Sequence, residues 1–131
     1  MTTRTEAFDL WLKQLRDPDS LKHKGKLENP ENRNERCCLG HLCHALGIES
    51  NVRDDVVRYI NSAGTLPDTV ASALDITIVG DVRGGIRYGD GVYHSLGSLN
   101  DNTDIDPAGI ADVIEKMLAT DRFVPFGALK P

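Results

Sequence analysis

The stretch ITIVGDVRGGIRYGDGVY, residues 76–93, decides the fold class that this sequence predicts. Its segments 76–79, 86–88 and 92–93 are rich in β-branched and aromatic residues and are separated by glycines, which is typical of short β-strands. The Asp90-Gly91 pair between the last two segments predicts a tight hairpin turn. Because these segments are few and short, we expect a small sheet that is mainly antiparallel.

Two helices are predicted in the first part of the chain. Thr3 and Glu6 have capping-box spacing before an amphipathic segment that should end near Pro18. In the stretch 39–46, apolar residues recur at i, i+3, i+4 and i+7, which predicts a second helix with Gly47 as its terminator. Both helices should bury one face in the core.

Three more helices are predicted after these. Apolar spacing indicates a helix over 52–61, and Pro67 begins a short fourth helix. The last helix has the strongest pattern: Asp106 caps it, Pro107 begins it, and a single apolar stripe follows. The chain is therefore predicted to be one α+β domain over residues 1–131, with four or five helices packed on the small sheet.

Composition and charge narrow the functional classes. The chain has 131 residues, 40% of them hydrophobic and 27% charged, which is the balance of a globular protein. Its formal net charge of −5 argues against broad affinity for nucleic acid or for an anionic membrane, since both need a cationic protein surface. No apolar run approaches the roughly 20 residues that span a bilayer, so no membrane partner is expected.

The cysteines and the first residues indicate a cytoplasmic protein. Three cysteines, all between Cys37 and Cys43, make a poor disulfide framework because their number is odd and the loops between them are tiny. We therefore expect reduced thiols and a cytoplasmic location. The N-terminal residues lack the apolar run of a signal peptide, so none is expected.

Two motifs resemble a family of small phage and prophage proteins of uncharacterised function. Residues 37–43, CCLGHLC, resemble its CCLGxLC signature, and residues 99–101, LND, with 110–114, IADVI, resemble its LND…IADxIE ending. The stretch 21–27, LKHKGKL, is similar to the basic, glycine-containing segment that precedes the double cysteine in that family. The resemblance implies phage origin, a host-cytoplasm location and a compact fold, but no particular activity.

Residues 21–27 also carry the main candidate binding site. Lys22, Lys24 and Lys26 alternate around Gly25 in an otherwise acidic chain, and Arg36 precedes the second helix. If Gly25 lets backbone N–H groups approach a ligand, these cations could hold a phosphate beside the helix N-terminus. The alternative is a solvated loop whose charge is balanced by neighbouring acidic residues.

A cysteine nucleophile is a second hypothesis. A thiol at a helix N-terminus beside Arg36 has its thiolate stabilised, which makes Cys38, or its neighbour Cys37, a candidate. His94 on the predicted hairpin would be the general base. The alternative is that Cys38 is a small buried hydrophobe, as free cysteines usually are.

A zinc site is a third hypothesis. If the second helix begins by Cys37, then Cys37, His41 and His44 lie at i, i+4 and i+7, on a face turned away from the apolar stripe and towards solvent. A thiolate and two imidazoles at this spacing are suitable zinc ligands, although no fourth ligand is evident nearby. The phage family has an aliphatic residue at the position of His41 and an acidic one at that of His44, which speaks against a shared metal site.

Together these patterns predict a small phage-type accessory or anti-defence protein that acts by stoichiometric binding. Its partner would be a host protein or a small anionic, phosphorylated ligand, and no cofactor is expected. A cysteine-dependent hydrolase or transferase and a zinc-stabilised interaction module are the alternatives, so enzymatic activity is not the favoured reading. The glycine-rich run 80–85 lacks the Lys-Ser/Thr ending of a phosphate loop and is predicted to be a turn.

Overall fold

The computed structural model describes residues 3–89 and 91–127 of the chain. The described part contains five α-helices: α1 (Arg4–Arg16), α2 (Cys38–Ala45), α3 (Asp68–Leu74), α4 (Leu96–Asn102) and α5 (Pro107–Ala119). Its six short strands are β1 (Leu21–Lys22), β2 (Glu35–Arg36), β3 (Ser50–Arg53), β4 (Val56–Tyr59), β5 (Ile86–Arg87) and β6 (Tyr93–His94). The architecture is α+β, as predicted.

The strands form three separate two-stranded sheets. The pair β1–β2 is parallel, whereas β3–β4 and β5–β6 are antiparallel hairpins. The mainly antiparallel character is therefore confirmed, but the β-structure is divided among small pairs at the edge of a helical core. None of the helices in the described ranges has the length and apolar content that crossing a bilayer requires.

The first helix joins the core through a buried aromatic side chain. Its predicted capping box is present, because Thr3 and Glu6 exchange hydrogen bonds between side chain and backbone. Trp11 is fully buried, and its indole Nε1 donates a hydrogen bond of 2.8 Å to the carbonyl of Cys38. Helix α1 is thereby attached to the first residue of α2.

The last helix packs along the first. Asp106 accepts a hydrogen bond of 2.7 Å from Gly109 N, and the helix begins at Pro107, as the sequence predicts. On the exposed side, Arg16 of α1 donates to Asp112 at 2.8 Å and to Glu115 at 2.7 Å. On the inner side, α5 buries Ile110, Ala111, Ile114 and Met117.

The predicted helix over 52–61 is wrong, because this segment is the β3–β4 hairpin. Asp54 and Asp55 form its turn with positive φ values of 55° and 60°, which short acidic side chains tolerate better than most residues do. Beyond the turn, Val57 and Tyr59 are buried and their neighbours are not, so the burial has the period of a strand. The spacing of the apolar residues is compatible with a helix and with a strand, and the turn at Asp54 and Asp55 makes the segment a hairpin.

One smaller prediction near residue 80 also needs correction. Segment 76–79 is not a strand, because Thr77 Oγ1 bonds Asp81 and the Thr77 carbonyl accepts from Gly80 N, which closes a turn. Asn100 and Asp101 belong to α4, which is capped by Ser95. The predicted hairpin is present as β5–β6, although Asp90 of its turn lies outside the described residues.

Candidate functional site

The basic loop, defined as residues 21–27, is fixed by two consecutive side chains of α4. Asn100 Nδ2 donates a hydrogen bond of 2.8 Å to the carbonyl of His23, and Asn100 Oδ1 accepts one of 3.0 Å from Cys38 N. Asp101 Oδ1 accepts a hydrogen bond of 2.9 Å from Gly25 N. The sequence motifs at 21–27, 37–43 and 99–101 therefore contact one another, because the Asn-Asp pair joins the basic loop to the start of α2.

The end of the basic loop lies directly on α2. A Cβ atom added to Gly40 would be 1.8 Å from the carbonyl oxygen of Leu27, a distance that no real contact permits. Leu27 itself is fully buried, and its carbonyl also accepts a hydrogen bond of 3.1 Å from Cys37 N. The glycine of the CCLG motif is thus required by packing, because the chain passes where a side chain would stand.

The four cations predicted to bind a ligand do not share one surface. Lys22 is half-buried, and its Nζ donates a hydrogen bond of 2.7 Å to the carbonyl of Thr103. Burial and the nearby charge of Lys24 lower the pKa of Lys22. Arg36 is buried inside the protein, whereas Lys24 and Lys26 are exposed. Two of the four are therefore structural, and two are displayed to solvent.

The Gly25 N–H group faces an internal carboxylate instead of a ligand. Asp101 occupies the position in which a bound phosphate was expected, so the backbone of the loop offers no open anion cradle at this residue. A groove of about 380 Å³ does lie next to Lys22, between the end of α1 and the start of α5. Its charged lining is mixed: Arg16, Lys22, Asp17, Asp104 and Asp106. This groove does not present the cationic surface that a phosphorylated ligand needs.

Arg36 belongs to a buried ionic cluster around Glu28. The Glu28 carboxylate is fully buried and accepts hydrogen bonds from Arg33, Arg36 and Tyr59. Burial alone would raise the pKa of Glu28, but the hydrogen bonds from Tyr59, Arg36 and Arg33 outweigh it and lower the pKa. The cluster ties Glu28, the residue after the basic loop, to Arg36 of β2 and Tyr59 of β4. The sequence does not single out Glu28, because its three partners converge only in the folded chain.

The three thiols are packing groups. Their exposed fractions are 4% for Cys37, 1% for Cys38 and 0% for Cys43, and all are free. Burial raises the pKa of Cys37 and of Cys43 to about 12 and that of Cys38 well above its ordinary value. The effect of burial exceeds that of the helix N-terminus, so the reactive thiolate is scarce at neutral pH.

The cysteines and the histidine that were proposed as a catalytic pair make other contacts in the fold. Cys38 Sγ donates a hydrogen bond of 3.5 Å to the carbonyl of Leu96. His94 is buried at the end of β6, where its Nδ1 lies 2.8 Å from Ser98 Oγ. Cys37 caps α2, and its Sγ accepts from Gly40 N. These contacts favour a structural role for the cysteines over a catalytic one.

The proposed zinc ligands do not share a solvent-facing surface. Cys37 and His41 are buried, and His44 is exposed, so the predicted common outward face is wrong. His41 Nε2 lies 2.8 Å from the Leu21 carbonyl and its Nδ1 lies 3.3 Å from Gln14 Nε2, which engages both ring nitrogens. Strand β1 covers this face of α2. Within residues 3–89 and 91–127, no group of three His, Cys, Asp or Glu side chains is arranged to hold a metal ion.

No family model, no curated protein and no solved structure matches the chain.

Proposed function

We propose that this chain is a small phage-type accessory or anti-defence protein that binds a host protein stoichiometrically in the host cytoplasm. The observation that supports this most is the basic loop: its backbone is fixed by Asn100 and Asp101, while Lys24 and Lys26 remain exposed. A surface that is already ordered loses less conformational entropy on association than a flexible one does. The loop is thus suited to binding without rearrangement.

Binding is favoured over catalysis by the positions of the reactive side chains. The Cys38 thiol is sealed in the core, and Glu28 is neutralised by two arginines. A nucleophile or a general base must reach its substrate, and neither group does so in this fold. The exposed groups of the basic loop that could attract a partner are the ammonium groups of Lys24 and Lys26.

The partner proposed for the basic loop is a host protein with an acidic surface. Exposed lysines attract such a surface and raise the association rate, in a manner that salt screens. A small phosphorylated ligand is less well supported at this loop, because Gly25 N is engaged by Asp101 and the neighbouring groove has mixed charge. The phage resemblance of residues 21–27 and 37–43 supports the host-directed setting.

The experiment is affinity capture from host lysate followed by titration of the purified partner. We expect one partner molecule per chain, and at least about a 10-fold loss of affinity, or ~1.4 kcal/mol, in the Lys24→Glu/Lys26→Glu double variant. Lys13→Glu is the matched control, because Lys13 is an exposed lysine on α1. Undiminished binding by the double variant, or a stoichiometry far below one, would contradict the proposal.

A further inference from the structure

A groove of about 310 Å³ lies between the β5–β6 hairpin and the C-terminal half of α5. Arg87, Lys116 and Arg122 line it, and no acidic side chain is among its described lining residues. We call it the basic groove. Its cations come from β5, from α5 and from the segment after α5, so the sequence shows no cluster of charge here. In a chain with a net charge of −5, such a concentration of positive charge requires an explanation.

Hydrogen bonds fix the Arg122 guanidinium through two of its three nitrogen atoms. Its Nε and Nη2 donate to the Arg83 carbonyl at 3.1 and 2.6 Å, and Nη2 also donates to the Gly85 carbonyl at 3.0 Å. The two N–H groups of Nη1 have no protein partner among the residues that the structure describes. A guanidinium fixed in this way is a preorganised pair of donors for an oxyanion.

The other two cations of the basic groove have no carboxylate partner among the residues that the structure describes. Neither Arg87 nor Lys116 forms an ion pair within the described ranges. The Arg87 guanidinium lies 5.5 Å from the centre of the ring of Tyr93, a residue that is 62% exposed. An exposed ring against a guanidinium is a flat surface on which another planar group can stack.

Two glycines allow the hairpin wall to approach these side chains. A Cβ atom on Gly85 would lie 2.6 Å from the Tyr93 Cβ, and Gly85 has a φ of +70°. A Cβ atom on Gly84 would lie 3.2 Å from Arg122 Nη2. The Gly-Gly pair predicted to be a simple turn therefore also shapes the groove, because larger residues would displace both the ring and the guanidinium.

We propose that the basic groove binds a phosphate monoester that carries a planar ring, a ligand of mononucleotide size. Arg87, Lys116 and the free Nη1 donors of Arg122 would hold the phosphate, and the Tyr93 ring would stack on the planar group. The volume is at the lower end of the range for small-molecule sites, roughly 300–1,000 Å³. This site is formed by other elements than the basic loop, so it goes beyond the proposed binding of a host protein.

Isothermal titration with adenosine monophosphate, adenosine and inorganic phosphate tests the proposal. The nucleotide should bind with a Kd below about 1 mM and at least about 10-fold more tightly than either fragment, since ring and phosphate contribute together. Arg87→Ala and Lys116→Ala should each weaken nucleotide binding by about 10-fold, because each removes an ionic contact. Both residues contact solvent, and thermal unfolding of the variants verifies that they fold.

Lys13→Ala is the matched control, because Lys13 is an exposed lysine on α1 that does not line the basic groove, and it should leave nucleotide binding unchanged. Several outcomes would overturn the proposal: no heat with any of the four common ribonucleoside monophosphates at about 10 mM, an equal loss in Lys13→Ala, or undiminished binding in Arg87→Ala and Lys116→Ala. If inorganic phosphate bound as tightly as the nucleotide, the proposed stacking on the Tyr93 ring would be wrong. The host-protein proposal is tested separately, by the Lys24→Glu/Lys26→Glu variant.

Discussion

Asn100 accepts a hydrogen bond of 3.0 Å from the backbone N–H of Cys38 at the buried start of α2. The first N–H groups of a helix have no partner within the helix, so this side chain satisfies one of them where water does not reach. The same amide donates to the His23 carbonyl, which fixes the basic loop. One residue of α4 thus positions both the helix that holds the thiols and the loop that displays Lys24.

Replacing Asn100 should therefore loosen two elements at once. We expect Asn100→Ala to lower the free energy of unfolding by about 1–3 kcal/mol, because a buried N–H and a carbonyl lose their partner. Amide exchange at Gly25 should accelerate in the same variant. Denaturant unfolding and hydrogen exchange measure the two effects. Asn102→Ala is the control, since Asn102 is exposed on the same helix; equal effects of the two variants would contradict the assigned role.

The close contact between Gly40 and the backbone of Leu27 leads to a second prediction. Gly40→Ala should destabilise the fold by about 3 kcal/mol or more, because its Cβ would collide with backbone and not with a flexible side chain. Gly64→Ala is the control, as its Cβ would meet Gly25 O at an ordinary 3.7 Å. Chemical denaturation of both variants measures the difference. A Gly40→Ala protein as stable as the control variant would show that the loop does not lie on α2 in this way.

The Glu28 cluster should be sensitive to loss of its central charge. Glu28→Gln leaves the buried Arg36 without a carboxylate, and breaking a buried ion pair in this way costs about 3 kcal/mol. Glu31→Gln, an exposed acid in the same segment, should have almost no effect. Urea unfolding at neutral pH measures both variants. Equal stability of the two variants would mean that Arg36 is solvated, and would restore it as a ligand-binding candidate.

The stability of the protein should fall on mild acidification because of His41. Burial lowers the pKa of His41 in the fold to about 4 from 6.5, so the unfolded chain takes up the proton first. Stability is therefore highest above pH 6.5, decreases by about 3 kcal/mol as the pH falls from 6.5 to 4, and then this contribution levels off.

Urea unfolding across this pH range measures the slope. In His41→Gln the slope between pH 6.5 and 4 should largely disappear, whereas His44→Gln, at an exposed position of the same helix, should retain most of it. A wild-type protein whose stability is constant over this interval would show that His41 is open to solvent.

The elements that the sequence predicted well have local signals at their ends. Thr3 begins α1 and Asp106 begins α5 through hydrogen bonds within one turn, so the relevant contacts lie within a few residues. The stretch 52–61 was misread because its apolar residues fit a helix and a strand equally well. The Asp54-Asp55 pair was the local sign of a hairpin turn.

The site could be predicted only in part, because its contacts are tertiary. The sequence marked residues 21–27 and 37–43 as candidate site segments, and these two segments are in contact in the fold. The burial of Arg36 was not predictable, since its environment depends on Tyr59 from a distant strand. The basic groove could not be predicted from the sequence, because only folding brings Arg87 and Arg122 together.

The three cysteines are interior packing groups in this fold, and their reaction with iodoacetamide tests this most directly. In the native protein at neutral pH, Cys37, Cys38 and Cys43 should react far more slowly than free cysteine, because they are buried and their pKa values are raised. All three should react readily in denaturant, which is the control. Native alkylation of any of them as fast as free cysteine would show an open, activated thiol and would favour a cysteine enzyme over a binding protein.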